Sequence, residues 1–279
     1  MNMRVRPYPD KLGEIEAALL SRLGTKIVRY EPILSEYWPE GQTFPVGFFD
    51  VDMQRLKASG VEGVLLLLDD QPPAYMDWTR QLHAYKSMIS RILAAGLTVS
   101  VNIANELQPA DFSDLAGLRR CEWLTMQIAG TYEFKGIPIY GPSFGSWHEL
   151  GDHDKQLWAT DAALRRIREN AEACRLLRRC TRPAVNVYAI GETPGLMAKR
   201  FAQLWSVYKV HWMAITRKVP VLTEWGVSPT LCGTKDRTPF IQALRSQIAE
   251  LRVPEAWFFT SIDDEWGLLD SAGNQLVAL

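Results

Sequence analysis

Two glutamates stand where acid–base chemistry could be done. Glu106 ends the run Leu97-Thr-Val-Ser-Val-Asn-Ile-Ala-Asn-Glu106, and Glu224 ends Val219-Pro-Val-Leu-Thr-Glu224, just ahead of Trp225 and Gly226. Both runs are rich in β-branched and apolar residues, which predicts strands. In a barrel of parallel strands the C-terminal strand ends share one face, and that face carries the reactive groups. Two carboxyl groups meeting there can divide the cleavage of an acetal such as a glycosidic bond. One donates a proton to the leaving oxygen while the other, ionised, attacks the carbon. The donor must keep its proton near neutral pH, which burial and a neighbouring anion both favour.

Positioning such a pair needs a regular frame, and the chain supplies a repeating one. Short β-branched runs alternate with helical patterns about eight times. The predicted strands are Met3–Arg6, Lys26–Glu31, Gly63–Asp69, Leu97–Glu106, Ile137–Pro142, Ala184–Ile190, Val219–Glu224 and Ala256–Ser261. Between them lie amphipathic stripes. Trp78, Leu82, Tyr85, Ile89, Ile92 and Leu93 recur at helical spacing and stop before Gly96; Leu196, Phe201, Leu204, Trp205, Tyr208 and Trp212 form a second stripe; Phe240, Leu244, Ile248 and Leu251 form a third. This alternation predicts an α/β fold, a (β/α)8 TIM barrel, as one domain over residues 1–279.

Period-two alternation then sorts the strand faces. It sends Val28 and Tyr30 outward with Arg29 and Glu31 inward, and Val99, Val101 and Ile103 outward with Ser100, Asn102, Ala104 and Glu106 inward. Val185 and Val187 go outward, with Asn186 and Tyr188 inward. In the seventh strand it sends Val219, Val221 and Thr223 outward and Pro220, Leu222 and Glu224 inward.

Composition narrows the function classes. Apolar residues make up 47% and charged residues 23% of 279, as in a globular protein with a large core, and the net charge is −1. So even a balance gives no reason to expect nucleic acid or an anionic membrane as partner. The longest aliphatic run, Val64 to Leu68, is too short to span a bilayer. The first ten residues lack the apolar core of a leader, so a cytoplasmic location is expected, or a secreted one if a leader has been removed. Cys121, Cys174, Cys180 and Cys232 show no metal-type spacing and are read as reduced structural thiols. His83, His148, His153 and His211 form no HxH or HExxH pattern, and no phosphate-binding glycine loop is present, so neither cofactor nor metal is expected. Nothing calls for a second subunit, and a monomer is expected.

Other groups compete for the site. Glu31, Glu192, Asp69, Asp70, Asp263, Asp264 and Glu265 also lie near predicted strand ends. Of the ten tryptophans, Trp78, Trp205 and Trp212 fall on helical stripes and read as core. Trp147, Trp225, Trp257 and Trp266 fall near the mouth, where flat rings can stack on sugar faces, and Trp257, with Phe259 on its face, is the expected platform at the cleavage point.

At these residues the chain resembles the clan A, or 4/7, superfamily of retaining glycoside hydrolases over nearly its whole length. Asn105-Glu106 is similar to that clan's Asn-Glu at the end of strand four, and Thr223-Glu224-Trp225-Gly226 to its strand-seven ending. Arg29 on strand two, Tyr188 on strand six and the Ile137-Pro-Ile-Tyr-Gly-Pro-Ser143 run extend the resemblance. Two departures stand out: Asn186 occupies a place where the clan often has His, and the proline that commonly follows Asn-Glu comes only at Pro109. The resemblance implies Glu106 as acid/base, Glu224 as nucleophile held by Arg29 and Tyr188, and Asn105 bonded to the sugar's 2-hydroxyl. It implies double displacement on β-linked oligo- or polysaccharide, with the two carboxyl groups about 5–5.5 Å apart. A carbohydrate-binding barrel without catalysis, or a transglycosylase using the same site, would share this sequence pattern.

Overall fold

The computed structural model describes residues 1–5, 10–32, 46–69, 77–105, 107, 115–145, 147–260, 263, 265, 267–270, 272 and 274–277. The strands are β1 (Asn2–Val5), β2 (Ile27–Tyr30), β3 (Gly63–Leu68), β4 (Thr98–Ile103), β5 (Ile139–Phe144), β6 (Arg182–Val187), β7 (Val221–Trp225) and β8 (Ala256–Phe258). They pair in parallel in sequence order, and β1 closes on β8. The expected (β/α)8 TIM barrel is therefore the observed one, with strand bounds shifted by at most three residues.

Around the barrel lie α1 (Asp10–Arg22), α2 (Val46–Ala58), α3 (Trp78–Ala94), α4 (Ala116–Ala129), α5 (His153–Glu169), α6 (Ala171–Leu177), α7 (Pro194–Thr216), α8 (Pro229–Cys232) and α9 (Thr238–Glu250). Local chemistry sets their ends. Asp77 caps α3 by accepting from the Arg80 amide at 2.7 Å, and Gly96, at φ +75°, makes the left-handed turn that releases the chain into β4. Thr193 caps α7, whose first residue, Pro194, suits a position needing no amide donor. The α3 stripe packs inward through Leu82, Tyr85, Ile89 and Ile92, but Leu93 is 41% exposed and drops out of it. A further adjustment concerns Trp78, which sits at the rim of the core, edge-on to Trp123 of α4 at 6.1 Å. Trp205 and Trp212 are fully packed, as expected. No helix among the described residues is long and apolar enough to cross a membrane.

Two apolar regions result. The larger lies between strands and helices and takes Val28, Tyr30, Val99, Val101, Ile103, Val185 and Val187, the outward residues of their strands. The smaller fills the floor of the barrel: Leu65, Tyr140, Ala184, Val221 and Trp257, with Ile27 against them. The Tyr140 hydroxyl donates to Glu255 Oε1 at 2.8 Å, and burial followed by that carboxylate pushes the phenol pKa well up.

The seventh strand departs from simple alternation. Val221 points into the floor and Leu222 into the outer core, the reverse of the expected phase. Its pairing explains how the strand recovers. Val185 aligns with Leu222 but Asn186 aligns with Glu224, so Thr223 is an extra residue, a β-bulge. The same excess appears against β8, where Leu222 and Trp225 align with Ala256 and Phe258. Because of the bulge, Thr223 and Glu224 both enter the barrel, and Trp225 turns outward.

Candidate active site

Glu224 is 1% exposed and lies at the C-terminal end of the barrel interior. An isolated carboxylate there would be costly, so its partners decide whether it can be ionised. Arg29 Nη1, from β2, donates to Oε1. The Tyr188 hydroxyl, just past β6, donates to Oε2 at 2.6 Å. Arg4 Nη1, from β1, stands 3.5 Å from Oε1. Both carboxylate oxygens are thus engaged, from β1, from β2 and from the residue after β6, which fixes the plane of the group.

Arg4 was not singled out from sequence. It is buried, bridges Glu224 and Glu31, and lies over the Phe259 ring at 4.5 Å. Burial works against its charge, but Glu224 and then Glu31 outweigh that, so its pKa is raised. The signal existed: in Met3-Arg4-Val5 the flanking residues face the outer core, which leaves the arginine facing inward. Of the competing carboxylates, Glu31 shares this charge cluster. Glu192 is 74% exposed and pairs loosely with Arg200 at 3.8 Å. Asp69 and Glu265 are exposed, and Asp263 folds its own turn by accepting from the Glu265 amide at 2.9 Å. Asp70, Asp264, Trp266 and Glu106 lie outside the described residues.

The residue before Glu106 is described. Ala104 has φ +59°, a left-handed backbone, and Asn105 follows it, partly exposed. Asn105 Oδ1 accepts from Arg29 Nη2 and from Asn186 Nδ2, both at 3.0 Å. Arg29 therefore touches the side chain preceding Glu106 and the carboxylate of Glu224 with one guanidinium. Asn186 itself is fully buried, and among the described residues its side chain bonds Asn105 and Thr223.

Two aromatic expectations are corrected. Trp257 is fully buried in the barrel floor beside Tyr140, rings 6.4 Å apart, because β8 carries it in one layer too deep for the mouth. Phe259, on the same face and two residues on, takes the mouth position and meets Tyr188 edge-on at 5.8 Å. Trp225, turned outward by the bulge, packs on Phe258 at 5.1 Å in the outer core and presents no ring to the cavity. Trp147 is partly exposed, and the next residue, His148, rests on Tyr188 with ring centroids 5.0 Å apart. Burial lowers the His148 pKa, with Glu149 and Glu265 partly offsetting it. Beyond this rim, Arg237 ties two mouth loops together by donating to the carbonyls of Val227 at 3.1 Å and Gly267 at 2.7 Å. Among the described residues no group of three His, Cys, Asp or Glu side chains could hold a metal ion.

Fold and geometry thus define a closed β/α barrel with a clamped, buried carboxylate at the C-terminal ends of its strands. Comparison with solved structures gives the same architecture. The chain is similar to a GH5_18 protein from Bifidobacterium longum subsp. longum in complex with Manβ1-4GlcNAc, at 12% identity and a TM-score of 0.65, covering 98% of this chain and 74% of that one. It is similar to plant β-glucan endohydrolases at 12% identity and a TM-score of 0.60, covering 100% and 99%. It also matches an exo-β-1,4-mannosidase from Opitutaceae bacterium strain TAV5 at 14% identity and a TM-score of 0.59; there it covers 99% of this chain but only 57% of the mannosidase. No protein-family model and no curated protein matches the chain.

Proposed function

We propose that the chain is a retaining glycoside hydrolase acting on β-linked oligo- or polysaccharide, its barrel forming one catalytic domain that works as a monomer without a cofactor. The observation that carries this reading is the clamp on Glu224 together with the Arg29 bond to Asn105, which joins the two strand ends expected to share the chemistry. The likeness to barrels titled as mannosidase and β-glucan endohydrolase supports it.

In the first step a Glu224 oxygen bonds to the anomeric carbon, the bond from that carbon to the leaving oxygen breaks, and Glu106 gives its proton to that oxygen. In the second step Glu106 takes a proton from water, the resulting hydroxide bonds to the anomeric carbon, and Glu224 leaves as a carboxylate. Arg4, Arg29 and Tyr188 hold the attacking carboxylate without reorganisation, which is where fixed dipoles and charges contribute most. Asn105 meets the 2-hydroxyl; Phe259, Trp147 and His148 border the bound sugar.

Assay against β-glucans, mannans, xylans and aryl β-glycosides tests the proposal. Glu224→Ala and Glu106→Ala should each lose at least about 10³-fold in turnover, roughly 4 kcal/mol of barrier. Azide should rescue the first, giving a glycosyl azide of inverted configuration. Normal hydrolysis by both variants refutes the assignment, and sugar binding without release of reducing ends means a binding barrel instead.

A further inference from the structure

Beneath the mouth, a ring of hydrogen bonds from five strands and the residue beyond β4 begins and ends on Arg29. Arg29 Nε donates to Asn102 Oδ1 at 3.3 Å, and Asn102 Nδ2 donates to Ser143 Oγ at 3.0 Å. Ser143 and Thr223 hydroxyls meet at 2.9 Å, and Thr223 Oγ1 donates to Asn186 Oδ1 at 2.8 Å. Asn186 Nδ2 then donates to Asn105 Oδ1, which Arg29 Nη2 reaches from the other side. Arg29, Asn102, Ser143, Thr223 and Asn186 are all fully buried, and only Asn105 is partly open to the cavity.

The direction of this ring is set by chemistry. A guanidinium has donors and no acceptor, so the atom of Asn105 facing Arg29 must be its carbonyl oxygen. Asn186 meets the same oxygen, so it must present its NH2 group, which turns its own oxygen to the Thr223 hydroxyl. Both lone pairs of Asn105 Oδ1 are then occupied. What remains for the cavity is Asn105 Nδ2, a donor.

We propose that Asn186 and Thr223 are positioning residues that lock the Asn105 amide with its NH2 group toward the cavity, and so set a preference for sugars carrying a hydrogen-bond acceptor at carbon 2. The proposal rests on the hydrolase reading above. Without Asn186 one lone pair of Asn105 is released and its amide is held by Arg29 alone; without the Thr223 hydroxyl the Asn186 oxygen loses its donor and that amide is held at one end only.

The test compares kcat/KM for an aryl β-glycoside and its 2-deoxy counterpart, in the full-length protein and in Asn186→Leu and Thr223→Val. The second variant is close to isosteric, which guards against loss of fold. The 2-hydroxy over 2-deoxy ratio should fall about tenfold in Asn186→Leu and about threefold in Thr223→Val, one good hydrogen bond and part of one. A purely structural role would slow both substrates alike and leave the ratio unchanged, and that result in the folded variants overturns the proposal. Turnover of neither glycoside by the unaltered protein removes the hydrolase reading and this inference with it; turnover with a constant ratio removes only this inference.

Discussion

The barrel interior holds two layers that are equally buried and chemically opposite. The floor is Leu65, Ala184, Val221, Trp257 and the ring of Tyr140, joined by contact and dispersion. The layer above it is Arg4, Arg29, Asn102, Ser143, Asn186, Thr223 and Glu224, joined by hydrogen bonds and charge. Apolar burial stabilises the first directly. The second removes two guanidiniums and a carboxylate from water, a cost that their mutual pairing offsets only while every partner is present. The floor should therefore govern stability with little effect on chemistry, and the upper layer should govern both.

Arg29→Met gives the sharpest test of that contrast. It leaves Glu224 short of its main partner and unlinks Asn105, so turnover should fall about 10³-fold and stability by about 3–5 kcal/mol, read by steady-state kinetics and urea unfolding. Trp257→Ala should cost a similar 3–5 kcal/mol, through the cavity it opens, while turnover per folded molecule stays within about threefold. If Trp257→Ala slows chemistry as deeply as Arg29→Met, the division between layers is wrong.

A third effect is smaller and lies outside the barrel. Cys180 is buried, and its thiol pKa is pushed up to about 11 from 9.0 by burial. Its contribution is complete below pH 9, where the unfolded thiol is still protonated, and is lost as the pH rises toward 11. Alkaline thermal melts should register about 2–3 kcal/mol of loss, and Cys180→Ala should flatten that dependence. The smallest effect belongs to Glu192→Gln, an exposed change expected to alter stability by less than about 0.5 kcal/mol and turnover not measurably. A large drop in activity there would return Glu192 to the list of catalytic candidates.

The alternation of Val28-Arg29-Tyr30-Glu31 and of Val185-Asn186-Val187-Tyr188 was enough to aim four polar side chains correctly, because each strand is regular and its outer face is continuously apolar. The same rule misplaced Val221 and Leu222. An inserted residue such as Thr223 breaks parity, and its presence depends on how β7 pairs with both neighbours, which one strand's sequence does not encode. Trp257 was assigned to the right face but the wrong depth, since depth depends on strand tilt and stagger around the closed barrel. Arg4 was legible in principle, flanked by Met3 and Val5, but a four-residue strand carries little periodicity.

Ala104 carries one last implication. A β-carbon at φ +59° is about 1–2 kcal/mol less comfortable than in right-handed backbone, and this one is fully enclosed, its amide donating to the Leu68 carbonyl at 2.7 Å. Glycine there would ease the bend and raise resistance to heat, yet it would also let the peptide that carries Asn105 swivel. Thermal tolerance and fidelity toward substrate are thus opposed at a single methyl group, so selection for one should erode the other.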